Sequence, residues 1–218
     1  MSKLDRRTFG AAAIGGLSLA IAGCSGTLLS RPDPPDLYTL TPKSTFAPDL
    51  PLANWQLLVE EPVAPAGLNT TRIAVSPDLI QIDYYASVAW TDRAPAMVLT
   101  LLIESFQNTD RIIAVGRDVS GLRADYILQT ELREFQAEPQ PDGTTLVEAR
   151  LNARLVRMPD RLIFASGSFP AEAQAATNGF DDVLIAFDEA LGDTMGDVVE
   201  WTLRNGQSDW PTNTRYRP

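Results

Sequence analysis

Between Thr144 and Met158 the chain alternates with period two. Val147, Ala149, Leu151, Ala153 and Leu155 share one side, and Glu148, Arg150, Asn152 and Arg154 share the other. Successive side chains of a strand point to opposite faces, so this run reads as a strand with one face buried and one in water. It is the middle one of three long strands. Tyr126 to Glu138 precedes it across Pro139-Gln140-Pro141-Asp142-Gly143, whose Asp-Gly pair is a hairpin signal. Leu162 to Pro170 follows across the turn Met158-Pro159-Asp160-Arg161. In the first of the three, Leu128 and Leu132 share a parity that Phe135 breaks. Either a bulge intervenes, or that end is covered on both faces.

Upstream, Trp55 to Glu60 reads as a mostly buried strand, Arg72 to Val75 as a second, and Leu79 to Tyr84 as a third after the turn Ser76-Pro77-Asp78. A helix follows Trp90-Thr91-Asp92, with Asp92 as its cap and Pro95 in its first turn. Met97, Val98, Leu101, Leu102, Ser105 and Phe106 fall on one face of it. Arg111 to Gly116 resumes as strand or loop. A long helix from about Asn178 to Arg204 carries the stripe Phe180, Val183, Leu184, Phe187, Leu191, Met195 and Val198. Asp181 and Asp182 sit in its first turn, where the helix dipole favours acids. Gly192 and Gly196 weaken its middle by up to about 1 kcal/mol each relative to alanine. The order β-β-β-α-β-β-β-β-α predicts an α/β fold, a mixed β-sheet with two main helices packed on it. One domain of this kind is expected over residues 52–205, and a polar tail over 206–218 with only Trp210 to dock.

The N-terminal quarter follows another pattern. Pro32, Pro34, Pro35, Pro42, Pro48 and Pro51 interrupt residues 24–51, and proline at that density favours an extended, semi-rigid spacer. About 25 such residues reach about 80 Å at ~3.3 Å each. Leu37-Tyr38-Thr39-Leu40 is the exception, with β-prone residues for an edge strand. Before the spacer, Lys3, Arg6 and Arg7 form a positive region, and Gly10 to Ala22 is apolar but shorter than the roughly 20 residues of a spanning helix. Ile21-Ala22-Gly23-Cys24 resembles a bacterial lipobox. The resemblance implies removal of residues 1–23 as a signal peptide and a diacylglyceryl and acyl (palmitate-type) lipid on the Cys24 thiol. The competing reading makes Cys24 a buried cysteine of an anchor helix, but charge, length, small residues and cysteine follow the export order. Asp5-Arg6-Arg7-Thr8-Phe9 resembles the twin-arginine signal; alternatively Arg6 and Arg7 only supply charge for the general secretory route. Ser25 stands where an inner-membrane-retained lipoprotein carries aspartate. The sorting rule therefore implies the outer membrane, periplasmic side, with the inner membrane as the alternative.

Composition narrows the chemistry. Cys24 is the only cysteine, there is no histidine, and Lys3 and Lys43 are the only lysines. Ser-His-Asp and Cys-His catalysis, Cys/His zinc sites and histidine acid–base work are excluded, which leaves carboxylates, arginines and hydroxyls. No metal and no cofactor beyond the covalent lipid is expected. The net charge is −10, and loss of Lys3, Asp5, Arg6 and Arg7 with the signal leaves 15 basic and 27 acidic residues. Phosphate backbones and anionic head groups repel such a surface, so nucleic acid is not a partner and acyl chains hold the membrane.

The lipobox, the proline-rich spacer, Tyr38 with Leu40, and Tyr84, Tyr85, Trp90, Pro95 and Leu99 to Leu102 together resemble the ABC-type transport auxiliary lipoproteins. These include the PqiC-like lipoproteins of paraquat-inducible systems. The resemblance runs from Leu37 to about Leu203. It implies a mixed-sheet α/β fold and a non-enzymatic lipoprotein of an MCE-type lipid transport system. That role docks an MCE-domain protein, served by its ABC permease and ATPase, and uses a homo-oligomeric ring of copies. Tyr84, Tyr85 and Trp90 are the candidate partner surface, since aromatic residues are enriched where proteins meet; Trp90 also reads as a core plug at the helix start. Arg150 and Arg154 read as a solvated row paired with Glu131 or Glu134. Two other classes compete: a periplasmic scaffold for envelope assembly or peptidoglycan, and a carboxylate hydrolase. The hydrolase needs two converging acids. Its candidates Asp181, Asp182, Asp78 and Asp83 read instead as helix-turn, turn and strand-exposed residues.

Cys24→Ser is expected to abolish acylation and leave unprocessed precursor or a form released by mild extraction. Mass spectrometry of the mature N-terminus reads this directly; an unmodified Cys24 in the wild-type chain overturns the lipoprotein assignment.

Overall fold

A computed structural model of the chain describes residues 33–78, 80–117 and 123–210. Arg6, Arg7, Phe9, Ile21, Ala22, Gly23, Cys24 and Ser25 lie outside the described residues. The elements are β1 (Asp36–Tyr38), β2 (Ala53–Val59), β3 (Arg72–Asp78), β4 (Gln81–Trp90), α1 (Ala94–Asn108), β5 (Ile112–Gly116), β6 (Tyr126–Pro139), β7 (Thr145–Arg157), β8 (Leu162–Gln174) and α2 (Phe180–Asp209). They form the expected mixed sheet with two helices packed on it.

β6 is the strand on which the sheet is built. One of its edges pairs antiparallel with β7 along its whole length, and β7 pairs antiparallel with β8. The other edge is divided. β2 joins it in parallel at Tyr126 to Leu128, Val63 bridges to Glu131, and β3 joins it in parallel at Ala137. β5 lies parallel to β2, while β4 and then β1 extend the β3 branch. The face bearing Tyr126, Leu128, Leu132, Val147 and Leu151 is buried beneath the helices in one apolar core. The opposite face keeps Gln129, Glu131, Glu134 and Arg150 half-exposed, as the period-two pattern of β7 requires.

Phe135 changes parity through a bulge. The β6–β7 register shifts between Leu132 and Glu134, so Leu132 faces Leu151 and Phe135 faces Ala149, all four buried. Phe135 then stacks on Trp90 at 5.6 Å, and the Phe187 ring of α2 meets both, 5.4 Å from Trp90 and 5.1 Å from Phe135. The apolar faces expected for both helices are the ones buried, including Met97, Val98, Leu102 and Phe106 in α1 and Val183, Phe187, Leu191, Met195 and Val198 in α2.

Several boundaries differ from the sequence reading. Arg93, not Asp92, is the N-cap of α1, and the Asp92 carboxylate accepts from the Arg93 N–H at 2.7 Å. Asp92 stands one residue too early to reach the free N–H groups inside the first turn. Ser76 to Asp78 continue β3, and the chain reverses beyond them, where the Asp78 carboxylate accepts from the Ile80 and Gln81 N–H groups at 3.0 and 2.9 Å. α2 starts at Phe180 and runs to Asp209, past Arg204. Its last turns are held: the Tyr126 hydroxyl donates to Asp209 at 2.9 Å and Arg157 donates to the same carboxylate at 3.0 Å. A carboxylate at a helix C-terminus opposes the dipole and is 95% buried here, so this arginine partner is required.

The edge strand expected at Leu37 to Leu40 is present as β1, and the largest correction concerns the rest of the spacer expected over residues 24–51. From Asp36 onward this segment belongs to the folded domain. After β1 it forms a strap along α2, anchored by buried Leu40 and Leu50. Between the anchors, Thr41 donates from its N–H and hydroxyl to Asp188, Lys43 N–H donates to Ser105, and Ala47 N–H donates to Glu200. Arg204 grips Asp49 through both nitrogens, at 2.8 and 3.1 Å. A proline-rich chain makes few bonds to itself, so its N–H groups stay free for side chains of the helices. The length between Cys24 and Asp36 then reaches only about 40 Å at ~3.3 Å per residue.

The glycines of α2 separate two effects. A Cβ on Gly206 would lie 2.4 Å from the Trp55 ring, whereas one on Gly192 would meet only the Lys43 stem at 4.0 Å. Gly206→Ala is therefore expected to destabilise by about 1–3 kcal/mol through overpacking. Gly192→Ala is expected to be neutral or stabilising by up to about 1 kcal/mol through helix propensity. Chemical denaturation of both variants decides; equal effects would remove the Trp55 contact as the cause.

Candidate partner-docking surface

The three aromatic candidates do not form one exposed patch. Trp90 is 1% exposed and is the core plug of the competing reading, because the bulge in β6 brings Phe135 beneath it. Tyr85 is half-buried with its ring 5.2 Å from Phe180, and burial pushes its phenol pKa up. Tyr84 is half-buried too; its hydroxyl donates to the Gly67 carbonyl at 3.1 Å, and the Arg72 guanidinium lies 3.5 Å over its ring. Both tyrosines spend their polar or aromatic groups on the β3–β4 hairpin and the start of α2.

The acids considered for hydrolysis serve local structure. Asp78 closes the β3–β4 turn, and Asp83 accepts from the Gln81 amide at 2.6 Å. Asp181 and Asp182 stand in the first turn of α2, where Asp182 accepts from the Thr177 hydroxyl. Arg150 pairs with Glu134 at 2.7 Å, one of the two expected pairings, while Glu131 is taken by Arg133 at 2.7 Å.

Two concavities stand out that sequence reasoning missed. The first, about 400 Å³, opens on the polar face of the sheet where the divided edge of β6 leaves a gap beside Val63. Its acids are already positioned: Gln129 donates to Glu60 at 3.0 Å, Arg93 to Glu61 at 2.8 Å and Arg133 to Glu131. Arg154 and Asn152 of β7 complete the lining. Preset, mixed-sign polar groups of this kind suit the polar rim of a protein contact better than an acyl chain.

The second concavity, about 650 Å³, lies beside the strap, between Lys43, Phe46, Glu172, Asp193, Asp197 and Glu200. Lys43 Nζ binds Asp193 at 2.7 Å, and the lysine stem lies against α2 at Gly196, where a Cβ would stand 3.4 Å from Cε. Burial, then the charges of Asp193 and Glu200, push the Asp197 pKa above its ordinary 3.8, and Lys43 only partly offsets them. The available signal was Lys43 itself, the one lysine of the chain besides Lys3.

Fold and surface define a class: a helix-backed mixed sheet, with a polar open face, that carries its N-terminal strap across its helices. Residues 38–199 match the model of the ABC-type transport auxiliary lipoprotein component, and the chain belongs to that family. Its structure is similar to the crystal structure of protein XCC0632 from Xanthomonas campestris, with a TM-score of 0.76 and 29% identity over 80% of this chain and 98% of that one. A second crystal structure, 14% identical with a TM-score of 0.58, shares the fold alone. An uncharacterized protein of Bradyrhizobium diazoefficiens is 30% identical over 171 residues, 76% of this chain; the match spans 44% of that relative's length.

The raised pKa of Asp197 has a definite sign in stability. A carboxyl whose folded pKa lies above its unfolded 3.8 stabilises the fold while protonated, and that stability is lost as pH rises through the folded value. Asp197→Asn is therefore expected to raise the Tm at pH 7, with the gain vanishing once the pH falls below 3.8. Thermal melts across that range test it; a lower Tm at pH 7 would mean that the ionised acid is favourable beside Lys43.

Proposed function

We propose that this chain is a non-enzymatic lipoprotein subunit of an MCE-type lipid transport system, anchored in the outer membrane on its periplasmic side. It docks the MCE-domain protein that spans toward the inner-membrane ABC permease and ATPase, and it works as an assembly of copies. The family match carries this reading: it begins at β1 and runs into α2, so strap, sheet and both helices fall within the matched transport-auxiliary unit. The lipobox supports anchorage through Cys24. Ser25 supports the outer over the inner membrane. The acidic surface keeps the domain off anionic head groups, so the attachment point concentrates it at the membrane without adsorbing it. The polar cavity beside Val63 supplies a preset rim for a protein partner.

The test is capture of interaction partners from detergent-solubilised envelope by the full-length acylated chain, identified by mass spectrometry. The MCE-domain protein with its permease and ATPase is the expected yield. Peptidoglycan-synthesis or envelope-assembly proteins without any transport component would move the function to a scaffold, and turnover of an ester or glycan by the purified chain would replace both. Membrane fractionation places the chain with outer-membrane markers on this reading, and Ser25→Asp shifts it to the inner membrane.

A further inference from the structure

The two ends of the sheet differ in how they are protected. Free edges of natural sheets are kept from pairing by charge, proline, bulges or short length. β8 is the edge beyond β7, is 13 residues long, and has no strand on its outer side among the described residues. Leu162 to Ala171 contains no charged residue, in a chain that is 21% charged. Its start exposes Leu162, Ile163 and Phe164 by 50, 55 and 36%. β5 is the edge beyond β2; Ile112 to Gly116 is also uncharged, and Ile113 is 68% exposed. The other free ends carry their own guards: β1 has three residues and Asp36, and the far half of β8 has Pro170 and Glu172.

The two unguarded edges belong to the same rows of the sheet. Gly116 pairs with Leu58, Leu58 with Ile127, Ile127 with Val156, and Val156 with Ile163. Their directions also agree: β5 and β2 run parallel to β6, and β8, two antiparallel steps away, does so too. Repeating the molecule along this row therefore presents β5 to β8 as a parallel pair, the pairing β5 already makes with β2. Pro170 fits the β7 ladder only with its nitrogen turned outward, so Ser168 and Ser166, two and four residues before it, turn their N–H groups to the free side. For a chain of net charge −10, uncharged strips are where two copies meet at least electrostatic cost.

We infer that β5 of one copy adds in parallel to the N-terminal half of β8 of the next, Leu162 to Phe169, joining copies head to tail into one continuous sheet. Unstaggered repetition overlaps only Val115 and Gly116 with Leu162 and Ile163. Sliding by two residues sets Ile113 beside Leu162 and, past the β8 register shift at Phe164, Val115 beside Ala165. Core-facing residues then stay on one face with Phe164 adjoining them, and closed sheets require a stagger of this kind. The contact is heterologous, so it forms a ring if the rotation closes and a filament if it does not. This deepens the self-assembly part of the proposed function and is independent of the choice of transport partner.

The test is a bismaleimide cross-link of the full-length acylated chain in native membranes, with the unaltered chain as the blank for Cys24. Ile113→Cys and Phe164→Cys combined in one chain should give a ladder of multimers. Either substitution alone should give no cross-link, and Ile80→Cys, on a 97% exposed residue of the β3–β4 turn, should give none. Ser166→Lys places a guarding charge on the edge and should abolish the ladder while circular dichroism and Tm stay unchanged. Higher salt should strengthen assembly by screening the net charge. Cross-linking by Phe164→Cys alone means β8 pairs with itself and overturns the inference, as does a doubly substituted chain that stays monomeric. Partner capture is scored on the same membranes: capture without a ladder removes this inference and leaves the transport reading, and a ladder without transport components does the reverse.

Discussion

A single extra residue in β6 governs the packing of the whole domain. Ahead of the register shift at Leu132 and Glu134, even-numbered positions face the helices; after it, Phe135 and Ala137 do. Without that shift Glu134 would point into the core and Phe135 into water. The cost of burying a lone carboxylate and losing the aromatic contacts makes that arrangement untenable. With it, Phe135, Trp90 and Phe187 close one aromatic cluster that ties β6 to the end of β4 and the middle of α2. The position of α1 follows, since Trp90 ends β4 four residues before that helix begins.

α2 is secured along its length by chemically distinct contacts. Near its start, Asn178 bonds to the Gly143 carbonyl and accepts from Thr145, tying the helix to the β6–β7 turn. At its end, Asp209 is shared by Tyr126 and Arg157 while Gly206 lets the helix approach Trp55. Between them, the outward row Asp188, Asp193 and Glu200 resembles an ordinary solvated face. It is the seat of the strap: those carboxylates accept from Thr41, Lys43 and Ala47 in turn. A pull from the N-terminal side would therefore meet the sheet first, at β1 beside β4, and only then the strap with its several bonds to the helices.

The sheet itself is asymmetric in a way that bears on function. One face is sealed by helices; the other stays polar, with its ion pairs exposed and individually worth little to stability. A surface of preset, weakly stabilising charges contributes more to orientation and selectivity than to fold, which suits a subunit whose family works beside an ABC transporter.

What the sequence determined by itself was whatever repeats locally. The alternation of β7, the buried faces of α1 and α2 and the order of elements recover a mixed sheet under two helices, because period 2 and period 3.6 are written in neighbouring residues. The family was legible for the same reason, from Tyr38 and Leu40 to the helix after Trp90. Tertiary structure alone decided between a bulge and two-sided cover at Phe135, since both satisfy the same string of residues. It decided that Trp90 is core plug and not partner surface. It also drew residues 41–51 out of the expected spacer, through bonds such as Thr41 to Asp188 across 147 residues of chain. No local pattern carries such a contact: the strap donates main-chain N–H groups that every residue but proline possesses, and their partners exist only once α2 has been laid beside them.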